Sequence, residues 1–278
     1  MPRLATVGTV HGHHGMEITS HIVTTPPRDA ASVILLRDTE RGLEVFLMRR
    51  ASQSDVLGGA YVFPGGKTDA ADHEQARALP DHLPVADMAA RLGEPALQVH
   101  EALALYVAAV REAREECGVQ LAVSDVHPWS RWITPRQASL MDKRFDTRFF
   151  LATMPADQAA AHDDFETTHS EWMTPREALT RYWAHEFAMA PPQIMSLVQL
   201  ARHASVSDAL AEGAARLPPT IEPAPFDHEG IRVICYPGDE RHPLDRPVMV
   251  GPTRLMFRNK RFEPPSGTLA ELLGESWA

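Results

Sequence analysis

Cysteine is nearly missing from this 278-residue chain. Cys117 and Cys235 stand alone, with no further pair to build a disulfide framework and none of the Cys or His spacings that close a zinc site. That usage suits a reducing cytoplasm, and Cys117 reads as a packing residue. Long apolar runs are missing too: nothing approaches the ~20 residues a bilayer-crossing helix needs, and the first residues lack the basic-then-apolar order of a secretory leader. Cations are the minority charge. Lys and Arg number 27 against 37 Asp and Glu, a formal net charge of −10, which argues against a nucleic-acid backbone as partner while leaving room for local binding of a small anionic nucleotide. The expectation is a cytoplasmic protein with no membrane and no nucleic-acid partner, with room for a homodimer. His11-Gly12-His13-His14 reads as part of a loosely ordered tail with no carboxylate or Cys nearby, and Glu275-Ser276-Trp277-Ala278 matches no lipidation or organelle address.

Apolar residues are abundant, at 44% of the chain, enough to fill the core of one elaborated domain or of one domain with an appendage. The chemistry concentrates in Arg111-Glu112-Ala113-Arg114-Glu115-Glu116-Cys117-Gly118-Val119. On a helix, Glu112 lies three and four residues from Glu115 and Glu116, so the three acids share one face. Such crowding raises the carboxylates' proton affinity and opposes folding unless a hard divalent cation sits among them, which makes Mg2+ or Mn2+ the expected cofactor. The competing reading is a solvated charged helix face. Context favours the site. Gly118 supplies a helix stop, Val119 to Val123 alternates like a strand, and upstream Tyr61-Val62-Phe63 reads as a strand running into Pro64-Gly65-Gly66, where backbone can approach a ligand closely.

These residues resemble the Nudix hydrolase box, Gly-x5-Glu-x7-Arg-Glu-U-x-Glu-Glu-x-Gly-U with U a bulky apolar residue. Gly66 opens it and Arg111 to Val119 close it; Asp72 stands for the first Glu, Ala113 is small for its position, and His73 to Val110 replaces a seven-residue spacer. The long insert, with Phe63-Pro64-Gly65-Gly66-Lys67-Thr68-Asp69, looks like the acyl-coenzyme A diphosphatase branch. Arg50, Ala51 and Gly59 fit the signature associated there with coenzyme A, while its second Arg is Asp55 here. Arg144 to Phe150, Glu171 to Pro175 and Tyr236 to Glu240 resemble the same branch, so the likeness runs from about Ala30 to Phe262.

The resemblance implies an α/β fold, a Nudix-type α/β/α sandwich around a mixed β-sheet. It divides the chain into a flexible segment 1–27, a hydrolase domain 28–217 carrying the insert 73–100, and an extension 218–278 packed on that domain. It implies that Glu112, Glu115 and Glu116 hold the metal with the Gly66 backbone, that Glu112, Glu115 and Arg111 are catalytic, and that Arg50, Phe63, Gly65 and Glu166 face the substrate. Glu112, Glu115 and Glu166 are the candidates for general base, and Asp72 is expected to be structural. The implied reaction is metal-assisted attack of water on the diphosphate of coenzyme A or acyl-coenzyme A, giving 3′,5′-ADP and a phosphopantetheine species. Alternatives are a diphosphatase for ADP-ribose, NADH or a related dinucleotide, and a non-catalytic nucleotide-binding regulator.

Elsewhere, Ala31 to Arg37 and Leu43 to Met48 form a predicted hairpin, the insert is expected to hold one short helix over Val85 to Leu92, and the alanine-rich run from Val99 predicts that the acid-bearing helix begins well before Arg111. Strands are expected at Arg148 to Ala152, Ser170 to Met173, Ile231 to Tyr236 and Arg254 to Phe257. Thr174-Pro175-Arg176-Glu177 reads as a capping box opening a helix, and Pro192 to Ala215 as a further helical block.

Overall fold

The computed structural model describes residues 22–51, 59–137, 143–162 and 167–275. The expected hairpin is its centre. β1 (Arg28–Thr39) and β2 (Gly42–Arg50) pair antiparallel around Leu36↔Val45. The N-terminal half of β1 pairs instead with β4 (Gly65–Lys67), which follows β3 (Tyr61–Val62). Three helices come next: α1 (Ala70–Arg77), α2 (Val85–Arg91) and α3 (Val99–Cys117). β5 (Val126–Ile133), β6 (Phe145–Thr153) and β7 (Thr167–Met173) complete most of the main sheet, followed by α4 (Pro175–Trp183), α5 (Pro191–Leu200) and α6 (Val206–Ala215). β8 (Thr220–Ile221) adds an edge to that sheet. β9 (Ala224–His228), β10 (Ile231–Cys235), β11 (Arg254–Arg258) and β12 (Arg261–Glu263) then form a separate antiparallel sheet, and α7 (Leu269–Leu272) comes last.

The main sheet runs β3-β2-β1-β6-β5-β8, with β4 on β1 and β7 on β2. β1 and β6 are parallel while β1 and β2 are antiparallel, so the sheet is mixed, as expected. β1 is apolar on both faces because both are covered. Its Val33 and Leu35 join Phe46, Met48 and Phe150 beneath α3, whereas Ile34 and Leu36 join Leu47, Phe149, Tyr182, Ile194, Tyr236 and Phe262 beneath α4, α5 and the second sheet. None of the described helices is long and apolar enough to cross a membrane.

α3 begins at Val99, as its alanine content requires, and stops where Gly118 adopts a left-handed conformation (φ 71°). Four readings of the sequence need correction. Val119 to Val123 is not a strand: Gln158 accepts from the Gln120 N–H at 2.7 Å and Asp125 from the Ala122 N–H at 2.8 Å, so side chains take the donors a ladder would use, and β5 starts only at Val126. The insert holds two helices, α1 being opened by a reciprocal cap between Asp69 and Asp72. The block from Pro192 to Ala215 is broken before Ser205, whose hydroxyl caps α6. Thr174 caps α4 with Pro175 in its first turn, but the Glu177 carboxylate turns to Arg41 instead of closing the capping box.

Candidate active site

Strand alternation hollows out one end of the sheet. On the α5 side, β1 presents Arg28, Ala30 and Ser32 before its large residues Ile34 and Leu36 begin, and two small side chains leave space that bulky ones would fill. β6 adds Phe145, Thr147 and Phe149 to the same face, and β5 adds Trp132. The result is a cavity of about 610 Å³, closed opposite the strands by Pro191 and Pro192 of α5 and by Pro223 and Ile234 near the second sheet.

The acids enter over the β4 edge. Gly65 sits so close to β1 that a Cβ there would lie 2.6 Å from the Ala31 carbonyl, and a Cβ on Gly66 would lie 2.2 Å from Glu112 Oε1. Space, not conformation, therefore fixes both glycines. Gly65 N–H donates to Glu116 Oε2 at 2.8 Å, which draws the last turn of α3 onto the loop.

Arg111 organises the cluster. Its Nε and Nη2 grip both oxygens of Asp72 at 2.8 and 3.0 Å; its Nη1 reaches Glu112 and Glu115 at 2.8 and 2.9 Å, and its Nη2 also donates to the Lys67 carbonyl at 2.9 Å. A planar five-donor guanidinium can do this where an ammonium cannot. Asp72 is fully buried and accepts from the Asp69 N–H as well, which ties the start of the insert to α3. The hydrogen bonds to Asp72, followed by those to its other carboxylates, hold the Arg111 pKa far above its ordinary value. Burial pushes the Glu112 carboxyl up, with Arg111 only partly opposing it.

Of the residues singled out in the sequence, Arg50, Phe63, Gly65, Gly66, Arg111, Glu112 and Glu116 line this one cavity. Glu115 does not: half-exposed, it lies against Arg111 and, at 3.6 Å, Arg114. Glu166, Asp55 and the histidines of the first fourteen residues fall outside the described residues. Cys117 is buried with its thiol pushed up to about 12, in keeping with packing. Sequence reasoning did not find Arg28, Lys67 and Lys143 on the cavity rim, nor Trp132 and Phe145 in its wall. The alternation Arg28-x-Ala30-x-Ser32, small residues on one face of an otherwise bulky strand, is the signal that was available.

Among the described residues no three Asp, Glu, His or Cys side chains stand close enough together to hold a metal ion as they lie, because Glu115 is turned to Arg111. The donors that do face the cavity fit a hard divalent cation in kind: the carboxylates of Glu112 and Glu116 converge on glycine backbone, and among the described residues neither sulfur nor imidazole lines the cavity.

The family model described as the NUDT19 Nudix domain matches residues 122–200. The chain is 25% identical over 279 residues to acyl-coenzyme A diphosphatase NUDT19 of Xenopus laevis, covering 73% of this chain and 72% of that protein. It is 25% identical over 276 residues to putative nudix hydrolase 7 of Caenorhabditis elegans, covering 86% and 82%. Among solved structures, a NUDIX hydrolase from Alicyclobacillus acidocaldarius superposes with a TM-score of 0.53 at 25% identity, covering 68% of this chain and 97% of that one.

Proposed function

We propose that this Nudix hydrolase is a metal-dependent diphosphatase that cleaves the diphosphate linkage of coenzyme A or its acyl derivatives to 3′,5′-ADP and a phosphopantetheine species. The observation that carries the reading is the convergence of Glu112 and Glu116 on the Gly65-Gly66 backbone at one end of a cavity whose remaining wall is largely apolar and whose rim is cationic. A diphosphate joined to a long amide-bearing arm needs the first two of those zones. The similarity to acyl-coenzyme A diphosphatases supports the same reading.

In this reading Glu112 and Glu116 hold the divalent cation beside the Gly66 backbone. That cation, when bound, offsets charge on the diphosphate oxygens and lowers the pKa of the attacking water. Arg111 keeps Glu112 in place and, through Asp72, fixes the insert against the acid-bearing helix. Glu115, anchored on the same guanidinium, completes the acidic set, and the water's proton passes to one of the carboxylates Glu112, Glu115 or Glu166. Trp132, Phe145 and Phe149 exclude water from the apolar side of the cavity.

The test is a hydrolysis panel of coenzyme A, an acyl-coenzyme A, ADP-ribose, NADH and nucleoside triphosphates, with magnesium, with manganese and with chelator. Cation-dependent release of 3′,5′-ADP from the first two is expected. Turnover confined to ADP-ribose or NADH would transfer the assignment to dinucleotides, and hydrolysis unaffected by chelator would remove the metal from it.

A further inference from the structure

The cavity carries positive charge where its acids do not need it. Arg28, Lys67 and Lys143 all line it, and among the described residues none of them has a carboxylate within ion-pair distance. In a chain of net charge −10 this contrasts with Arg111 inside the cavity and with Arg131, Arg148, Arg181, Arg232 and Arg254 elsewhere, each of which is tied to acids. Arg50 lines the cavity as well.

Their placement gives them a direction. Ser32 lies opposite Gly65, beside the acids; Ala30 lies opposite Lys67; and Arg28 lies opposite Phe145 on the other neighbouring strand, two residues from Lys143. Ser32 and Arg28 are four positions apart, roughly 13 Å at the rise of an extended strand. The Arg28 N–H donates to the Arg144 carbonyl at 3.0 Å, which locks the start of β1 to the start of β6 and brings Arg28 and Lys143 to one rim. A single anionic group at the acid end would therefore be met by Arg111 and the cation, and not by Arg28 and Lys143. The far pair suits a second anion on the same molecule.

We infer that Arg28 and Lys143, with Lys67 between them and the acids, form a separate subsite for a phosphomonoester carried by the substrate in addition to its diphosphate. This rests on the proposed diphosphatase reading and sharpens it. Coenzyme A has such a group in its 3′-phosphate; dephospho-coenzyme A, ADP-ribose and NADH lack it. Arg28 grips the phosphoryl oxygens through a planar fork and Lys143 contributes a point charge. Both side chains are exposed at the mouth, so they order only when the anion arrives, and the subsite acts on binding rather than on the chemical step.

The experiment compares the full chain with Arg28→Ala, Lys143→Ala and the double variant on coenzyme A and on dephospho-coenzyme A. The double variant should raise KM for coenzyme A about tenfold or more, leave KM for dephospho-coenzyme A within about twofold and leave kcat unchanged on both. Equal losses on both substrates, or no change on coenzyme A, would overturn the subsite. Calorimetry with 3′,5′-ADP and 5′-AMP gives a readout without turnover. Wild type should prefer 3′,5′-ADP, and the double variant should bind the two alike; equal affinities in wild type would overturn the subsite. Should wild type hydrolyse neither coenzyme while still preferring 3′,5′-ADP through these cations, the diphosphatase reading fails and the subsite stands.

Discussion

The two faces of β1, β6 and β5 are built from alternate residues of the same strands and could hardly differ more. One face carries Arg28, Ala30 and Ser32 with Phe145, Thr147 and Trp132, and is hollow. The other carries Asp29, Asp146, Arg148 and Arg131, and is sealed. There Arg148 is 3% exposed and meets Asp29, Asp146 and Glu94, while Arg131 holds Asp146 at 2.6 Å and Glu94 at 2.9 Å. Glu94 comes from the insert, so its carboxylate ties that segment to the sheet. Two guanidiniums against three carboxylates nearly balance. At the cavity a single Arg111 faces Asp72, Glu112 and Glu115, with Glu116 beyond it. The nearly balanced cluster needs nothing further to be stable, whereas the unbalanced one keeps an excess of negative charge that protonation or a bound cation would offset.

The largest expected effect tests the sealed face. Glu94→Ala takes from Arg148 and Arg131 the one carboxylate that grips both, leaving their buried donors toward the insert unpaired, so it should cost about 3 kcal/mol in urea denaturation while the folded fraction keeps its kcat. A loss below about 1 kcal/mol would mean that the network is no more than a surface pair. Next comes the opposite pattern at the cavity. Glu116→Gln should lower kcat on the order of a hundredfold or more, about 2.7 kcal/mol of barrier, with a metal-free melting temperature unchanged or raised because a like charge has gone. Full activity would erase the difference between the faces.

Asp72→Ala probes the residue that belongs to both patterns. It is near the acids of the cavity but serves Arg111 and the Asp69 cap, so about 2–3 kcal/mol of stability should go with little change in magnesium affinity by calorimetry. A large loss of magnesium binding at unchanged stability would make it a ligand.

The smallest effect is one of sign. Burial would raise the Glu44 pKa, but Arg37 and Arg41 outweigh it and hold the group below its ordinary value of 4.5. Its stabilisation is present in full above that value and disappears as the pH falls through the folded pKa. Glu112 is raised above 4.5, so the metal-free folded state takes up its proton more readily than the unfolded chain, and the associated stability is full below 4.5 and lost as the pH rises through the folded pKa. In urea titrations with chelator, Glu44→Gln should remove an acid-side loss and Glu112→Gln a loss on raising the pH. Slopes of the same sign would contradict the distinction between a compensated and an uncompensated carboxylate.

Contiguous signals were the legible ones. The acidic turn closed by Gly118, the Pro64-Gly65-Gly66 loop, the alanine run of α3 and the β1–β2 hairpin each declare themselves within about twenty residues, and with them the mixed α/β architecture. The cavity rim was not legible, because Arg28 and Lys143 become neighbours only through the parallel pairing of β1 with β6, and parallel register leaves no mark in either strand alone. The strand wrongly read at Val119 to Val123 failed for a related reason: alternation does not reveal that Gln158 and Asp125 will take its backbone donors. α1 was missed because its cap uses Asp in both places, Asp69 and Asp72, where a Ser or Thr followed by Glu is the more visible pair.

The insert between Asp72 and Glu94 is fastened at its two ends, to Arg111 at one and to Arg131 and Arg148 at the other, with Tyr106 donating to the Met88 carbonyl at 2.7 Å in between. The turn joining its two helices, from Ala78 to Pro84, carries none of those fastenings and is largely exposed. Length added there would lie outside every contact that positions the acids, so the chain can carry a tag, a reporter or a further docking module between Asp81 and His82 as a garment carries a pocket, sewn on both sides and free in the middle.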